Sequence, residues 1–305
     1  MVLPESRNVN RYIERGSDIL RSLFMPREPR LQTTFEIISV GYELLDGRVV
    51  NTNASWLAGQ ISSLGGRVSR ITVVGDDVAE ISSAIREAVM RGADWIITSG
   101  GLGPTYDDVT LQGVARAVGR KLVLNKRALE MIRRRYEELA REGIVESPEL
   151  TPPRMKMAML PRGAKPLENN VGTAPGALLK AGRCWIVCLP GVPSELQDIF
   201  LNRVKPLLEK KVKKIAIADR WIYVRGVPES SLAPRLDELR KAAPSLYIKS
   251  HPEKREGTSF IRIYMRMIGR RKETCEKILD RVEKELIKAV KELGGEALKP
   301  EGGNS

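Results

Sequence analysis

Residues 99–108 read SGGLGPTYDD, and this run gathers more potential chemistry than any other in the chain. Gly100, Gly101 and Gly103 carry no Cβ, so backbone N–H groups can close on a phosphate, and a helix after the loop would turn its positive end to the same anion. The spacing is neither a Walker loop nor the dinucleotide GxGxxG fingerprint. Asp107 and Asp108 follow at once. Two carboxylates beside a phosphate cradle repel the ligand unless a cation lies between them, which predicts Mg²⁺ or a similar hard divalent ion. Either aspartate could instead cap the helix beginning near Val109, and one can cap while the other binds metal.

Three further loops share this character. Residues 41–53 (GYELLDGRVVNTN) follow an apolar run and bring Glu43, Asn51 and Asn53 to a strand end, where open α/β sheets bind ligands. Asn53 could equally cap the next helix, and Glu43 could be solvated. Residues 169–176 (NNVGTAPG) add Asn170, Gly172 and Thr173, so that four of the chain's nine asparagines fall in two short loops. An asparagine amide both donates and accepts, which suits a ribose or base edge better than a bare phosphate. Residues 190–195 (PGVPSE), with Gly191 and Ser194, leave another apolar run and open a helix with proline near its start. Alone that is ordinary helix-start chemistry; beside the other loops it gains weight. Asp76 and Asp77 (VVGDD) read as helix caps. A serine nucleophile has no support, since no GxSxG elbow occurs and the single histidine, His251, lies far from these loops in the chain.

The elements that must position these loops alternate. Strand patterns at 35–40, 68–74 and 95–98 are separated by helical patterns at 54–64 and 78–91, a βαβα order. WIIT (95–98) and CWIVCL (184–189) are apolar at consecutive positions, which predicts strands buried on both faces. The expected fold is therefore α/β: a three-layer α/β/α domain with a mostly parallel sheet over residues 35–210, after an N-terminal extension at 1–34. A second, smaller α+β sandwich of β-α-β-β-α order is expected at 215–295, with a tail at 296–305. In its last helix Cys275, Ile278, Leu279, Val282, Leu286 and Val290 form one apolar stripe that must dock on a sheet.

Composition limits the classes. The 305 residues are 42% hydrophobic and 29% charged, which is globular, and three cysteines without a CxxC pair give neither a zinc knuckle nor an even disulfide framework. No run of 18 apolar residues occurs, so no membrane partner is expected and a cytoplasmic location is. The net charge of +13 lies mainly C-terminally, where residues 203–305 carry 25 basic and 15 acidic side chains. Any nucleic-acid contact would fall there, on the stripe Phe260, Arg262, Tyr264 and Arg266, yet no GXXG loop or RNP1 string accompanies it and nucleic acid is not the expected partner.

Taken in order, VGYELLDGRVVNTN, SGGLGPTYDDVT, NNVGTAPGALL and LPGVPSEL resemble the CinA (competence-damage-inducible protein) family, within the wider molybdopterin-binding fold of the MoaB and MogA kind. The match covers about residues 35–210. The chain ends at 305, so the nicotinamide-mononucleotide deamidase domain of full-length bacterial members, and its activity, are expected to be absent. One position departs: the family commonly has Asp or Thr before Glu-Leu-Leu, and here it is Tyr42, which cannot ligate a metal as aspartate would.

The resemblance implies a metal-dependent pyrophosphatase acting on ADP-ribose or a related nucleotide diphosphate, releasing AMP and ribose 5-phosphate. Asp107, Asp108 and Glu43 would be both catalytic and metal-binding. The substrate would meet Gly100, Gly101, Gly103, Thr105, Asn51, Asn53, Asn170, Gly172, Thr173, Gly191 and Ser194. The expected cofactor is a divalent metal such as Mg²⁺ or Co²⁺, with K⁺ as a second candidate; the expected partners are a small nucleotide and further copies of the chain. The alternative is a non-catalytic or adenylyl-transfer protein that binds molybdopterin or a nucleotide, related to molybdenum cofactor biosynthesis.

Overall fold

The computed structural model describes residues 32–243, 245–255 and 258–298. Most of the expected N-terminal extension and residues 299–305 lie outside them. The chain divides into two compact units between Val212 and Lys213, inside the basic stretch 205–214.

In the first unit, strands β1 (Thr34–Val40), β2 (Arg67–Val74), β3 (Trp95–Ser99), β6 (Lys165–Leu167), β7 (Gly176–Ala181) and β8 (Cys184–Leu189) form one sheet in the order β2-β1-β3-β8-β7-β6. The first four run parallel, while β7 and β6 are antiparallel to their neighbours. The consecutive apolar residues of β1, β3 and β8 fill two cores. On one face Ile38, Ile96 and Ile186 meet Ile81 of helix α3 (Val78–Met90), Val114 of α4 (Thr110–Ala117) and Ile132 of α5 (Lys126–Arg141). On the other, Ile37, Ile97 and Val187 meet Leu57 of α2 (Thr52–Ser63) and Leu196 of α7 (Pro193–Ile199). The three layers expected from the sequence are what forms.

After α7 the chain continues through one π-helical turn, Phe200–Val204, into α8 (Lys205–Lys211). Pro206 has no N–H to offer the preceding turn, a common cause of such a shift in a helical ladder. A short helix α1 (Tyr42–Leu45) follows β1, and a two-stranded sheet pairs β4 (Leu122–Leu124) with β5 (Met159–Pro161). Before β5, Pro152 and Pro153 start the short helix α6 (Pro152–Lys156), where a missing N–H costs nothing.

The second unit contains β9 (Ala216–Arg225), α9 (Glu229–Ala242), β10 (Leu246–Arg255), β11 (Thr258–Gly269), α10 (Lys272–Glu292) and β12 (Glu296–Leu298). Its antiparallel sheet has the order β10-β11-β9-β12. Leu279, Val282 and Leu286 of α10 pack on Ile222, Ile261 and Ile263, as the stripe requires. Arg220 of β9 reaches Glu276, Asp280 and Glu283 at 2.8, 2.6 and 2.5 Å, one helical face of α10. The difference from the sequence reading is β12: part of the expected tail is an edge strand, too short to show an alternating pattern.

Candidate active site

In the first sheet the chain passes from β1 to β2 on one side and to β3 on the other, so the order reverses at β1. A crevice at the carboxyl ends of the strands is expected at such a reversal. A cleft of about 420 Å³ lies there, lined by the loops after β1, β2, β3 and β8 and by Thr173 and Ala174.

The glycine loop is fixed by close backbone approach. Gly100 has φ of 105°, and a Cβ on it would stand 2.2 Å from the Val40 carbonyl oxygen, so no other residue fits where the β3 loop meets the end of β1. The buried Thr110 hydroxyl donates to the Gly100 carbonyl at 2.8 Å, tying the loop to the start of α4. A Cβ on Gly103 would lie 2.6 Å from a carboxylate oxygen of Asp108. That same oxygen accepts from the Thr105 N–H at 2.9 Å and its hydroxyl at 2.6 Å, while Asp107 also faces the Thr105 hydroxyl. One hydroxyl proton serves one carboxylate at a time. Neither aspartate caps α4: its N-cap is Val109, with no side-chain bond. The Thr105 hydroxyl, then backbone hydrogen bonding and the Lys156 ammonium, hold the Asp107 carboxyl below its ordinary value.

Among the described residues five carboxylates line the cleft, those of Glu43, Asp76, Asp107, Asp108 and Glu195, and no lysine or arginine does. Two of the five were not among the expected site residues. Asp77 of the VVGDD pair caps α3, accepting from Ala79 and Glu80 N–H at 2.7 and 2.9 Å, as expected. Asp76 does not cap; it accepts from the Tyr42 N–H at 2.9 Å and faces the cleft. Burial, and then the charges of Glu43, Asp107 and Asp108, push its carboxyl above its ordinary value. Tyr42, where an acidic or hydroxyl residue was expected, lays its ring where a Cβ on Gly75 would stand. Glu195 accepts from the Asn169 amide at 2.7 Å, and a Cβ on Gly172 would meet its carboxyl carbon at 2.1 Å.

Of the expected residues, Glu43, Gly100, Gly101, Gly103, Asp107, Asp108, Thr173 and Gly191 line the cleft, and Thr105, Asn51, Asn53, Asn170, Gly172 and Ser194 do not. The asparagines shape the loops. Asn51 caps α2 at the Ala54 N–H and bonds Ser39; Asn53 donates to the Gly191 carbonyl at 2.7 Å; Asn170 donates to Asp198 at 3.0 Å. Ser194 is exposed in the first turn of α7. Among the described residues no three His, Cys, Asp or Glu side chains stand together as a metal cage.

Residues 36–210 match a family profile described as a probable molybdopterin-binding domain. A protein of Aeropyrum pernix is 48% identical over 263 residues, 85% of this chain and 94% of that one. One of Pyrobaculum aerophilum is 44% identical over 256 residues, 84% of this chain and 93% of that one. Among solved structures, the crystal structure of the protein CinA with unknown function from Thermoplasma acidophilum matches with a TM-score of 0.53 and 38% identity, covering 58% of this chain and 99% of that one.

Proposed function

The chain belongs to the family of probable molybdopterin-binding domains, and on that premise we propose that its cleft binds a phosphorylated pterin or nucleotide together with a hydrated divalent cation. One observation carries the reading: glycine backbone and five carboxylates converge on one cleft that, among the described residues, no basic side chain lines. A phosphate has N–H donors to approach there, and the Lys156 ammonium near Asp107 is far too little charge to offset five carboxylates. Hard oxygen donors without a three-carboxylate cage fit an ion of the Mg²⁺ kind, which keeps several waters and shares one or two carboxylates with substrate phosphates. Asp107 and Asp108 would hold it, and when bound it would neutralise phosphate charge. Gly101 and Gly103 offer backbone N–H groups to the phosphate, the Gly100 N–H being taken by the Leu189 carbonyl at 3.0 Å, and Thr173 lines the same cleft.

A second reading, hydrolysis of a nucleotide diphosphate such as ADP-ribose, is favoured by Asp76. A carboxyl pushed up inside a cleft suits proton acceptance from an attacking water as the phosphoanhydride bond breaks and the leaving phosphate departs.

Calorimetric titration with molybdopterin, AMP and ADP-ribose, in Mg²⁺ and in EDTA, tests both. Binding is expected in Mg²⁺ and is expected to weaken at least about 100-fold in Asp108→Ala, the scale of a lost charged contact. Equal binding in EDTA and in Asp108→Ala would overturn the cleft assignment. AMP appearing from ADP-ribose selects hydrolysis; saturation without AMP selects the binding protein.

A further inference from the structure

The opposite end of the same sheet holds a second cavity, of about 570 Å³. Strands β3 and β8 end at Ser99 and Leu189, from which the cleft loops depart; they begin at Trp95 and Cys184, and Trp95 and Trp185 line this other cavity. Sequence spacing brings the rest of the lining together. Lys165 pairs with Leu178 and Lys180 with Trp185 across adjacent strands, so all four share one sheet face. Arg203, Leu207 and Lys211 recur every four residues along the covering helix, and Arg127 and Met131 do so on α5.

The chemistry is the reverse of the cleft's. Among the described residues five basic side chains line the cavity, Arg127, Lys165, Lys180, Arg203 and Lys211, against one carboxylate, Glu168. Glu168 is already neutralised by Arg134 and Arg203. Among the described residues Arg127, Lys165, Lys180 and Lys211 form no ion pair, so four cations converge without an anion. Trp185 stacks on Trp95 at 5.5 Å, and the ammonium groups of Lys180 and Lys211 stand 5.4 and 4.8 Å from its ring centre. Leu167, Leu178 and Leu207 supply apolar lining beside them.

Several convergent cations exceed what a monocarboxylate needs, and the tryptophan and leucines ask for a flat apolar body joined to the charge. The volume lies within the roughly 300–1,000 Å³ of small-molecule sites. We propose that this cavity binds a nucleoside di- or triphosphate, its phosphates on Lys180, Lys211, Lys165 and Arg127 and its base against the apolar lining. The protein supplies the countercharge here, so no metal ion is needed, unlike in the cleft.

The test titrates the full chain with ADP and ATP in EDTA, by calorimetry and by tryptophan fluorescence. The expected result is saturable, metal-free binding that changes the fluorescence, with tripolyphosphate competing and adenosine binding more weakly than ATP. K180E/K211E should weaken ATP binding about tenfold or more, while Asp108→Ala leaves it unchanged. Trp185→Leu should abolish most of the fluorescence change. Absence of binding in EDTA, or undiminished binding by a K180E/K211E protein with a wild-type unfolding midpoint, overturns the proposal. So does a charge reversal that changes only the oligomeric state by light scattering, which would make this face a contact between copies. Mg²⁺-dependent binding lost in Asp108→Ala belongs to the cleft, so either assignment can fail alone.

Discussion

At its carboxyl end the six-stranded sheet opens into loops carrying five carboxylates; at its amino end the same strands β3 and β8 begin among five basic side chains and two stacked tryptophans. The topology sets part of this division. Each helix that follows a parallel strand starts at the carboxyl edge, where its positive end favours acids, and finishes at the amino edge, where its negative end favours bases. Asp77 and Glu80 sit at the start of α3, Arg91 just after its last turn, and Lys210 and Lys211 in the last turn of α8. Helix dipoles explain sign but not surplus. Near the amino edge, the buried Glu36 is fully matched by Arg91, whose Nε and Nη2 donate to its two oxygens at 3.0 and 2.8 Å. Among the described residues the cleft carboxylates have no arginine so placed, and the cavity lysines have no acid so placed. Unmatched charge at each end is what separates a binding edge from a well-paired one.

The sharpest way to break this comparison is at Gly100. With φ of 105° and the Val40 carbonyl 2.2 Å from any added Cβ, Gly100→Ala must move β1 or the loop. A cost of about 3 kcal/mol is expected, from positive-φ strain plus a backbone clash, lowering the unit's thermal midpoint by roughly 6–12 °C. The cation-dependent ligand should be lost and the metal-free nucleotide site retained. Joint loss of both in a folded variant would show that the two ends are not separate sites.

Next in size is Arg91→Ala. The Glu36 side chain is 3% exposed and that of Arg91 32%, so the deletion leaves a buried carboxylate without a partner. Removing one member of a fully buried pair costs roughly 3–5 kcal/mol, and the partial exposure of Arg91 brings the expected loss to about 2 kcal/mol at pH 7. Chemical denaturation reads it directly. The double variant E36L/R91L should recover most of the loss; if it is as unstable as Arg91→Ala, pairing of charge is not what this edge depends on.

The same contrast governs how much could be read from the sequence. Glycine loops are legible because they mark backbone geometry: Gly100, Gly101 and Gly103 come together in the cleft lining, and the consecutive apolar residues of WIIT and CWIVCL identify strands covered on both faces. Asp76 escapes, because an aspartate between a strand and a helix has the same local signature whether it caps or faces a cleft. Adjacent Asp77 takes the cap, and only the folded chain shows which of the two does so. Glu195 escapes likewise, inside an ordinary Pro-led helix start. The asparagines differ: rarity suggests ligand contacts for Asn51, Asn53 and Asn170, whereas in the fold none of them lines the cleft and their amides bond a helix start, a carbonyl and a carboxylate of the protein. The amino-end cavity has no sequence signature at all. It is assembled from residues scattered between 95 and 211, drawn from several strands, helices and connecting loops.

The smallest expected effect is the most direct measure of unmatched charge in the cleft. Burial and the neighbouring acids push the Asp76 carboxyl above the ordinary 3.8, so the folded chain holds that proton more tightly than the unfolded one. The Asp76 contribution to stability therefore falls as pH rises from 3.8 through the raised value, and the penalty is complete above it. Asp76→Asn keeps an acceptor for the Tyr42 N–H and removes the charge. At pH 7 it should be more stable than the natural chain by at most about 0.5 kcal/mol, because the group is partly exposed and screened by solvent. The gain should vanish below pH 3.8 and shrink at high salt. Saturating Mg²⁺ should raise the midpoint of the natural chain more than that of Asp76→Asn, since a bound cation relieves the same repulsion. An Asp76→Asn protein that is no more stable at pH 7, with an unaltered pH profile, would mean that the cleft acids do not feel one another, and the need for a cation between them would go with that.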